Sequence, residues 1–483
     1  MSDPLFPYQT FGAEWLASRS RALLADEMGL GKTVQAIRAA DIVAAKNILV
    51  LCPAAARINW AREFQKFSKT FRTTIVVQSR SQRVFGDTTI CSYDLAETVP
   101  PIMWDVLILD EAHYLKTPDA KRTQAVFGKS GLVRRARRVW CLSGTPMPNH
   151  AGELWPMLYT FGATPRGYDA FVEKYCTYFQ TQYRKQITGT KQSTIPELKG
   201  MLNAVMLRRR KDEVMKELPP ISYGTLVVEE TQVNLDEADS FVQYIFPIDR
   251  TKELEERLER ERQLVNAIIT GDAYPRDQMK ALEAMANSVS TLRRYVGLQK
   301  MPALADILKE ELNAGAYEKL VIFAVHRDVI EGLRVRLVKF KPVTLYGGTA
   351  PDKRQRNIDK FQKDPKTRVF IGNIQAAGTA ITLTSAHNVV FAEQDWVPGN
   401  NAQAAMRCHR IGQTKPVFVR VASLANSLDE RVSEILRKKT RDITKLFDDK
   451  SLPETKQVDI PENPANEFHG GTPTKNPQPE GGG

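Results

Sequence analysis

The chain has 483 residues, 26% of them charged, with 68 Lys and Arg against 56 Asp and Glu for a formal charge of +12. A chain of this length can bury several domain-sized cores, so nothing in it demands disulfides or a structural metal. Its five cysteines (Cys52, Cys91, Cys141, Cys176 and Cys408) are scattered and form no C-x-x-C pair, which argues for a reduced, cytoplasmic compartment and against a zinc site. The basic excess suits a polyanionic partner but equally a well-solvated basic enzyme.

In chain order, the first feature is "LLADEMGLGKTVQAI", residues 23–37. Gly31, Lys32 and Thr33 fit the end of the phosphate-loop pattern G-x-x-x-x-G-K-[ST], but the first glycine position holds Asp26. The chemistry needs inward backbone N–H groups, a cation and a hydroxyl for Mg²⁺. Gly29 and Gly31 offer the tight backbone, Lys32 the charge and Thr33 the hydroxyl. The following "VQAIRAADIVAA" reads as a helix, so the loop amides sit at a helix N-terminus.

Short apolar, β-branched runs come next: "NILVLCP", "TTIVVQ", "TTICSYD", "DVLILDEAH" and "RVWCLSGTP". Each ends in polar or small residues, the mark of buried parallel strands with crossover helices. "DVLILDEAH" puts Asp110, for Mg²⁺, and Glu111, for the attacking water, at a strand end. Ser143 and Thr145 in "LSGTP" are expected to link this site to the second domain.

From residue 156 to 300 the texture turns charged and strand-poor, as in "TKELEERLERERQLVNAII", and predicts a mainly helical insertion. A second strand series follows over residues 301–447: "KLVIFAV", "PVTLYGG", "RVFIGN", "NVVFAEQ" and "VFVRVAS". The fold class is therefore α/β, with parallel-sheet domains at 1–155 and 301–447. "QAAMRCHRIGQ" offers Gln403, Arg407 and Arg410, with the two arginines, at i and i+3, expected on one helical face and stabilising charge on a transferred phosphoryl group. Residues 448–483, rich in Pro, Gly, Asn and Glu, predict a disordered tail. The longest apolar runs fall well short of the ~20 residues a membrane span needs.

The blocks "LFPYQTFGAEWL", "DEMGLGKT", "LCPAAARINWAREFQKF", "LILDEAHYLKT", "LSGTPMPNHAGELW", "MLRRRKDEV", "LYGGT" and "WVPGNNAQAAMRCHRIGQTKPV" carry a resemblance to the Swi/Snf-type (Snf-two) branch of the superfamily-2 helicase-like ATPases. "DEMGLGKT" is that family's own form of the loop, and "HRIGQ" is highly specific to it. "RRYVGLQKMPAL" and "AAGTAITLTSAHNVVFAE" look most similar to the annealing-helicase, fork-remodelling branch.

The resemblance implies two RecA-like lobes, ATP and Mg²⁺, and a monomeric translocase on double-stranded or forked DNA. It implies that Gln9 reads adenine and that Lys32, Thr33, Asp110, Glu111, Arg407 and Arg410 serve hydrolysis. Asn59, Trp60, Ser92, Lys116, Gly348, Thr349, Thr382 and Trp396 would lie near the DNA cleft, with Trp60 and Trp396 equally readable as packed core aromatics. Arg208, Arg209, Arg210 and Lys211 would brace the lobes or touch phosphates. Ala380, Val397 and Thr117 depart from the family pattern at positions that bear on coupling DNA contact to hydrolysis. A strand-separating helicase and a non-catalytic nucleotide-binding scaffold are the rival readings; the intact catalytic set argues against the scaffold.

Overall fold

The computed structural model describes residues 5–82, 85–180, 185–215, 217–228, 278–377, 381–425 and 427–447. The charged stretch at 251–269, Ala380 and the expected tail at 448–483 lie outside the described residues.

Two parallel sheets organise the chain. The first contains β1 (Arg21–Leu24), β2 (Ile48–Cys52), β3 (Thr74–Val76), β4 (Thr88–Ser92), β5 (Trp104–Asp110) and β6 (Ala136–Leu142), and also β9 (Met206–Leu207). Its strand order is β3-β4-β2-β5-β6-β1-β9. A short antiparallel pair, β7 (Cys176–Gln180) and β8 (Lys185–Thr190), stands apart. The second sheet holds β10 (Ile221–Val228), β11 (Leu320–Ala324), β12 (Val343–Leu345), β13 (Val369–Asn373), β14 (Asn388–Phe391) and β15 (Val417–Leu424), in the order β10-β15-β14-β11-β13-β12.

All ten strand-like runs of the sequence are strands here. The central ones, such as β2 "ILVLC" and β11 "LVIFA", are buried at every residue, because helices cover both faces of a parallel sheet. Full burial of each such side chain contributes roughly 1.5–3 kcal/mol, which is why these uninterrupted runs fix the sheet centres.

The span expected as a helical insertion, residues 156–300, is built differently. β9 extends the first sheet beyond β1, and β10 forms the edge of the second sheet along the whole length of β15. The helix Gln278–Asn313 is a helix, but its described half packs Val296, Leu298, Met301, Leu304, Leu308 and Leu312 into the second sheet's core. From Leu298 on, that three-to-four spacing is an apolar stripe facing the sheet, so the second lobe begins earlier in the chain than residue 301.

The last helix among the described residues, Leu428–Phe447, opens with Asp429 and Glu430 in its first turn, which suits the positive end of a helix dipole. Its far end leaves the second sheet: Ile443, Leu446 and Phe447 join the core of the first. The two lobes are thus tied by the helix Leu428–Phe447.

Candidate active site

Three strands of the first sheet end side by side: Leu24 of β1 pairs with Leu142 of β6, which pairs with Asp110 of β5. Ligand crevices in open parallel sheets form outside such carboxyl ends. The loop after β1 runs through Gly29 (φ 91°) and Gly31 (φ 73°) into helix α2 (Lys32–Ile42). Both glycines occupy the left-handed region, and a Cβ on Gly31 would stand 2.4 Å from Gln9 Nε2. Lys32 Nζ donates to the carbonyls of Asp26 (2.8 Å) and Glu27 (3.3 Å). Burial pulls the Lys32 ammonium down from its ordinary pKa, with Glu111, Asp26 and Asp110 opposing. Thr33 follows in the first turn of α2, where no side chain caps the helix amides.

Asp26, the residue in place of the first loop glycine, is fully buried and holds the loop from behind. Its carboxylate accepts from Gln35 Nε2 (3.0 Å), Arg209 Nε (3.0 Å) and Arg209 Nη2 (2.5 Å). Arg209 also donates to the Tyr8 carbonyl and lies over the Tyr8 and Phe11 rings. These contacts lock the loop to α1 (Pro7–Ala17), whose Gln9 accepts from the Phe6 N–H through Oε1 and reaches the Leu30 carbonyl through Nε2.

At the end of β5, Asp110 Oδ2 accepts from the Trp60 indole N–H at 2.8 Å, and the Tyr93 hydroxyl donates to the Asp110 carbonyl at 2.6 Å. Burial and then the Glu111 charge push the Asp110 carboxyl up to about 7, while the Trp60 bond and Lys32 oppose. Glu111 adopts φ 51°, a strained value for a non-glycine residue. Burial raises its pKa, and Lys32 and Arg407 hold it back. His113 Nδ1 lies 3.0 Å from Ser143 Oγ and 3.4 Å from Glu111 Oε2; burial drives this imidazole down to about 4, so it is neutral. Ser143 Oγ accepts from the Thr145 N–H (3.2 Å), and Thr145 Oγ1 accepts from Gln403 Nε2 (3.0 Å) of the second lobe. A polar chain therefore runs from Glu111 across the lobe boundary.

Arg407 and Arg410 do not share a helical face as expected. Their helix, Pro398–Ala405, ends before them, and the Arg407 and Cys408 amides close tight turns onto Ala404 and Ala405. Tertiary bonds impose this ending. Gln413 Nε2 donates to the carbonyls of Thr384, Ala386 and Cys408, and Gly412 just before it turns the chain at φ 96°. Arg410 Nη1 donates to Ile381 O (3.0 Å) and Thr382 Oγ1 (3.1 Å). Its Cβ lies 3.4 Å from where a Gly29 side chain would begin, so the arginine loop rests on the phosphate loop. Burial pulls Arg407 down to about 10, with Arg410 adding to the shift and Glu111 and Asp110 opposing.

The residues expected at a DNA cleft separate into two groups. Asn59 and Gly348 are exposed, Thr349 is half-buried in the turn after β12, and Trp396 is half-buried beneath the Arg293 guanidinium. Lys116 is partly exposed and pairs with Glu153 at 2.7 Å. The others turn inward. Trp60, at 1% exposure, is a core aromatic that fixes Asp110, and Ser92 is buried at the end of β4. Arg208 donates to the carbonyls of Ala25 and Gly144 and lies over Phe447, while Arg209 is spent on Asp26. Both arginines brace the loop, and Thr382 accepts from Arg410. The sequence reading missed Asp26 and His113 as working parts; the tie between Lys439 Nζ and both Asn149 Oδ1 and the Trp396 carbonyl had no signal in spacing at all.

The Asp26–Arg209 pair carries a stability prediction. Asp26→Ala strands a guanidinium that is only 12% exposed, and breaking a buried pair on one side costs about 3–5 kcal/mol. The first unfolding midpoint in urea should fall clearly, and Asp26→Ala combined with Arg209→Met should recover part of it. An unchanged midpoint in Asp26→Ala would remove the brace from the account.

Two family models match this chain. The SNF2-related domain family matches residues 8–272, and the helicase conserved C-terminal domain family matches residues 299–412. The chain is 29% identical over 461 residues to the DNA annealing helicase and endonuclease ZRANB3 of Mus musculus, covering 90% of this chain and 40% of that protein. It is 30% identical over 463 residues to the SWI/SNF-related matrix-associated actin-dependent regulator of chromatin subfamily A-like protein 1 of Drosophila melanogaster, covering 92% of this chain and 56% of that protein. It therefore spans about half or less of the length of these curated relatives. A Sulfolobus solfataricus SWI2/SNF2 ATPase core solved with dsDNA aligns over 92% of this chain and 94% of that one, at 24% identity and a TM-score of 0.43. With one family match extending from helix α1 past the antiparallel pair, over more than half of its length, the chain belongs to the SNF2-related family.

Proposed function

We propose that this chain hydrolyses ATP with Mg²⁺ and uses the cycle to move along double-stranded DNA. The observation that carries the reading is the seating of Arg410 against Gly29, which brings the second lobe's arginines to the first lobe's phosphate loop and acidic pair. A scaffold that only bound nucleotide would have no use for cations delivered from the other lobe.

In this reading Gln9 recognises adenine, the amides around Gly29 and Gly31 cradle phosphates, and Lys32 offsets their charge. Thr33 and Asp110 would hold Mg²⁺, which when bound supplies positive charge to the phosphate oxygens. Their oxygen donors suit a hard cation, and the raised pKa of Asp110 marks a carboxylate short of positive partners. Glu111 orients the attacking water and takes its proton. Arg407 and Arg410 stabilise the charge that develops on the transferred phosphoryl group. The link through His113, Ser143, Thr145 and Gln403 makes that placement depend on how the lobes meet.

Double-stranded DNA is favoured by the net charge of +12 and by the printed activity of the ZRANB3 relatives, DNA annealing. Asn59, Lys116, Gly348, Thr349 and Trp396 are the candidate contacts that remain accessible. Backbone tracking predicts little sequence preference. Duplex or forked DNA should stimulate ATPase far more than single-stranded DNA or RNA, and the stimulation should fall steeply with added salt as phosphate contacts release counterions. A side-by-side assay of triplex displacement and tailed-duplex unwinding separates the rival: robust unwinding with no triplex displacement would make the chain a strand-separating helicase. Fork regression or rewinding is the remodelling activity this reading assigns to it.

A further inference from the structure

Between the two lobes one ammonium is almost completely buried. Lys211 is 4% exposed, yet the mechanism above gives it no task. It lies just past β9, on the segment that braces the phosphate loop. The Glu27 N–H donates to the Arg209 carbonyl (2.9 Å), and the Lys211 N–H donates to Glu27 Oε2 (2.8 Å). Its backbone is therefore set by the first lobe.

Its head group belongs to the second. Lys211 Nζ donates to the His409 carbonyl at 2.6 Å and contacts Met406 Sδ at 3.1 Å, with Glu27 Oε1 at 3.8 Å. Met406 and His409 bracket Arg407, and His409 immediately precedes Arg410. The His409 ring is tied in turn to the same connecting segment, with Nε2 2.7 Å from the Pro219 carbonyl. A Cβ on Gly29 would stand 3.4 Å from both Lys211 Cε and Arg410 Cβ, so glycine, lysine and arginine meet at one point.

We propose that Lys211 is a positioning residue for ATP hydrolysis, seating the loop that carries Arg407 and Arg410 against the phosphate loop. The inference rests on the hydrolytic reading above. A buried ammonium is costly, and burial pulls this one down to about 8 with Glu27 opposing. A tie needed only for cohesion is replaceable by apolar packing with little loss. The ammonium instead donates to the His409 carbonyl while its charge faces the Glu27 carboxylate at 3.8 Å, which sets the arginine loop in register with Glu27. Lys211 touches no reacting atom; it acts through Arg407 and Arg410.

The test compares Lys211→Met and Lys211→Arg with the parent in duplex-stimulated steady-state ATPase, alongside ATP affinity and melting temperature. A misplacement near 1 Å can cost about 10²-fold in rate, so Lys211→Met should lose on that order in kcat while KM and ATP affinity stay within a few-fold. Lys211→Arg, which can still donate to the His409 carbonyl, should fall between the two. In an Arg407→Ala background, Lys211→Met should add almost nothing, because its effect passes through that loop. If Lys211→Met does not fold, Lys211→Arg carries the same comparison: lowered kcat at unchanged KM. A parent without DNA-stimulated ATPase overturns the proposed function and this inference with it. A parent that is active, with both Lys211 variants at parental kcat or with losses that multiply with Arg407→Ala, overturns the positioning role alone.

Discussion

Arg407→Ala and Arg410→Ala should each keep ATP binding in the first lobe and lose DNA-stimulated hydrolysis by ~10³-fold or more, the range seen when an arginine finger is removed. The two variants should nevertheless differ in their pH profiles. Burial raises the Glu111 carboxyl, and among its neighbours Lys32 and Arg407 hold it down. Removing Arg407 takes away one of those charges, so the Glu111 pKa rises further. A general base works deprotonated, hence the acidic limb of the residual rate should move to higher pH in Arg407→Ala. Arg410 is held by Ile381 O and Thr382 Oγ1 and has no part in the Glu111 shift, so Arg410→Ala should leave that limb in place. Rate profiles between about pH 5 and 9 check both points. Activity within a few-fold of the parent in both variants would return these arginines to a structural role.

Much of this site was legible because its parts are local. A lysine between a glycine and a hydroxyl at a helix start, and an acidic pair at the end of a buried strand, announce themselves within a few residues. The ten runs read as strands are short, apolar and bounded by polar residues, and all ten are strands. The strands that escaped lacked one of these marks. β1 "RALL" and β9 "ML" are too short to show a pattern, β7 "CTYFQ" and β8 "KQITGT" are rich in polar residues, and β10 "ISYGTLVV" alternates and carries a glycine. Partnership across the fold was not legible at all. Nothing in the chain says that the indole of Trp60 seeks Asp110 fifty positions later, or that Asp26 waits for Arg209 beyond the antiparallel pair. The arginine pair failed for the opposite reason: helical spacing was present, but Gln413 collects three carbonyls and ends the helix early. Helix propensity proposes and tertiary hydrogen bonds decide.

The other large effect separates binding from turnover. Lys32→Ala should abolish hydrolysis and sharply weaken ATP binding, because its ammonium is the cation at the head of α2 and no other side chain of the loop carries positive charge. Glu111→Gln should keep ATP and lose turnover by ~10²–10⁴-fold, the usual worth of a general base. The electrostatics of the pair sharpen the contrast. Glu111 is one of the two causes that raise Asp110 to about 7, after burial. Replacing it with a neutral amide lets Asp110 stay ionised to lower pH, so the carboxylate assigned to Mg²⁺ is preserved or improved. Glu111→Gln should therefore bind ATP at least as tightly as the parent at pH 6, where the parent's Asp110 is largely protonated in the absence of the metal. Equilibrium binding of a labelled ATP together with single-turnover hydrolysis measures both halves. A Glu111→Gln variant that turns over ATP near the parental rate would take the base away from Glu111, and one that no longer binds ATP would show that this carboxylate holds the site together instead of attacking through it.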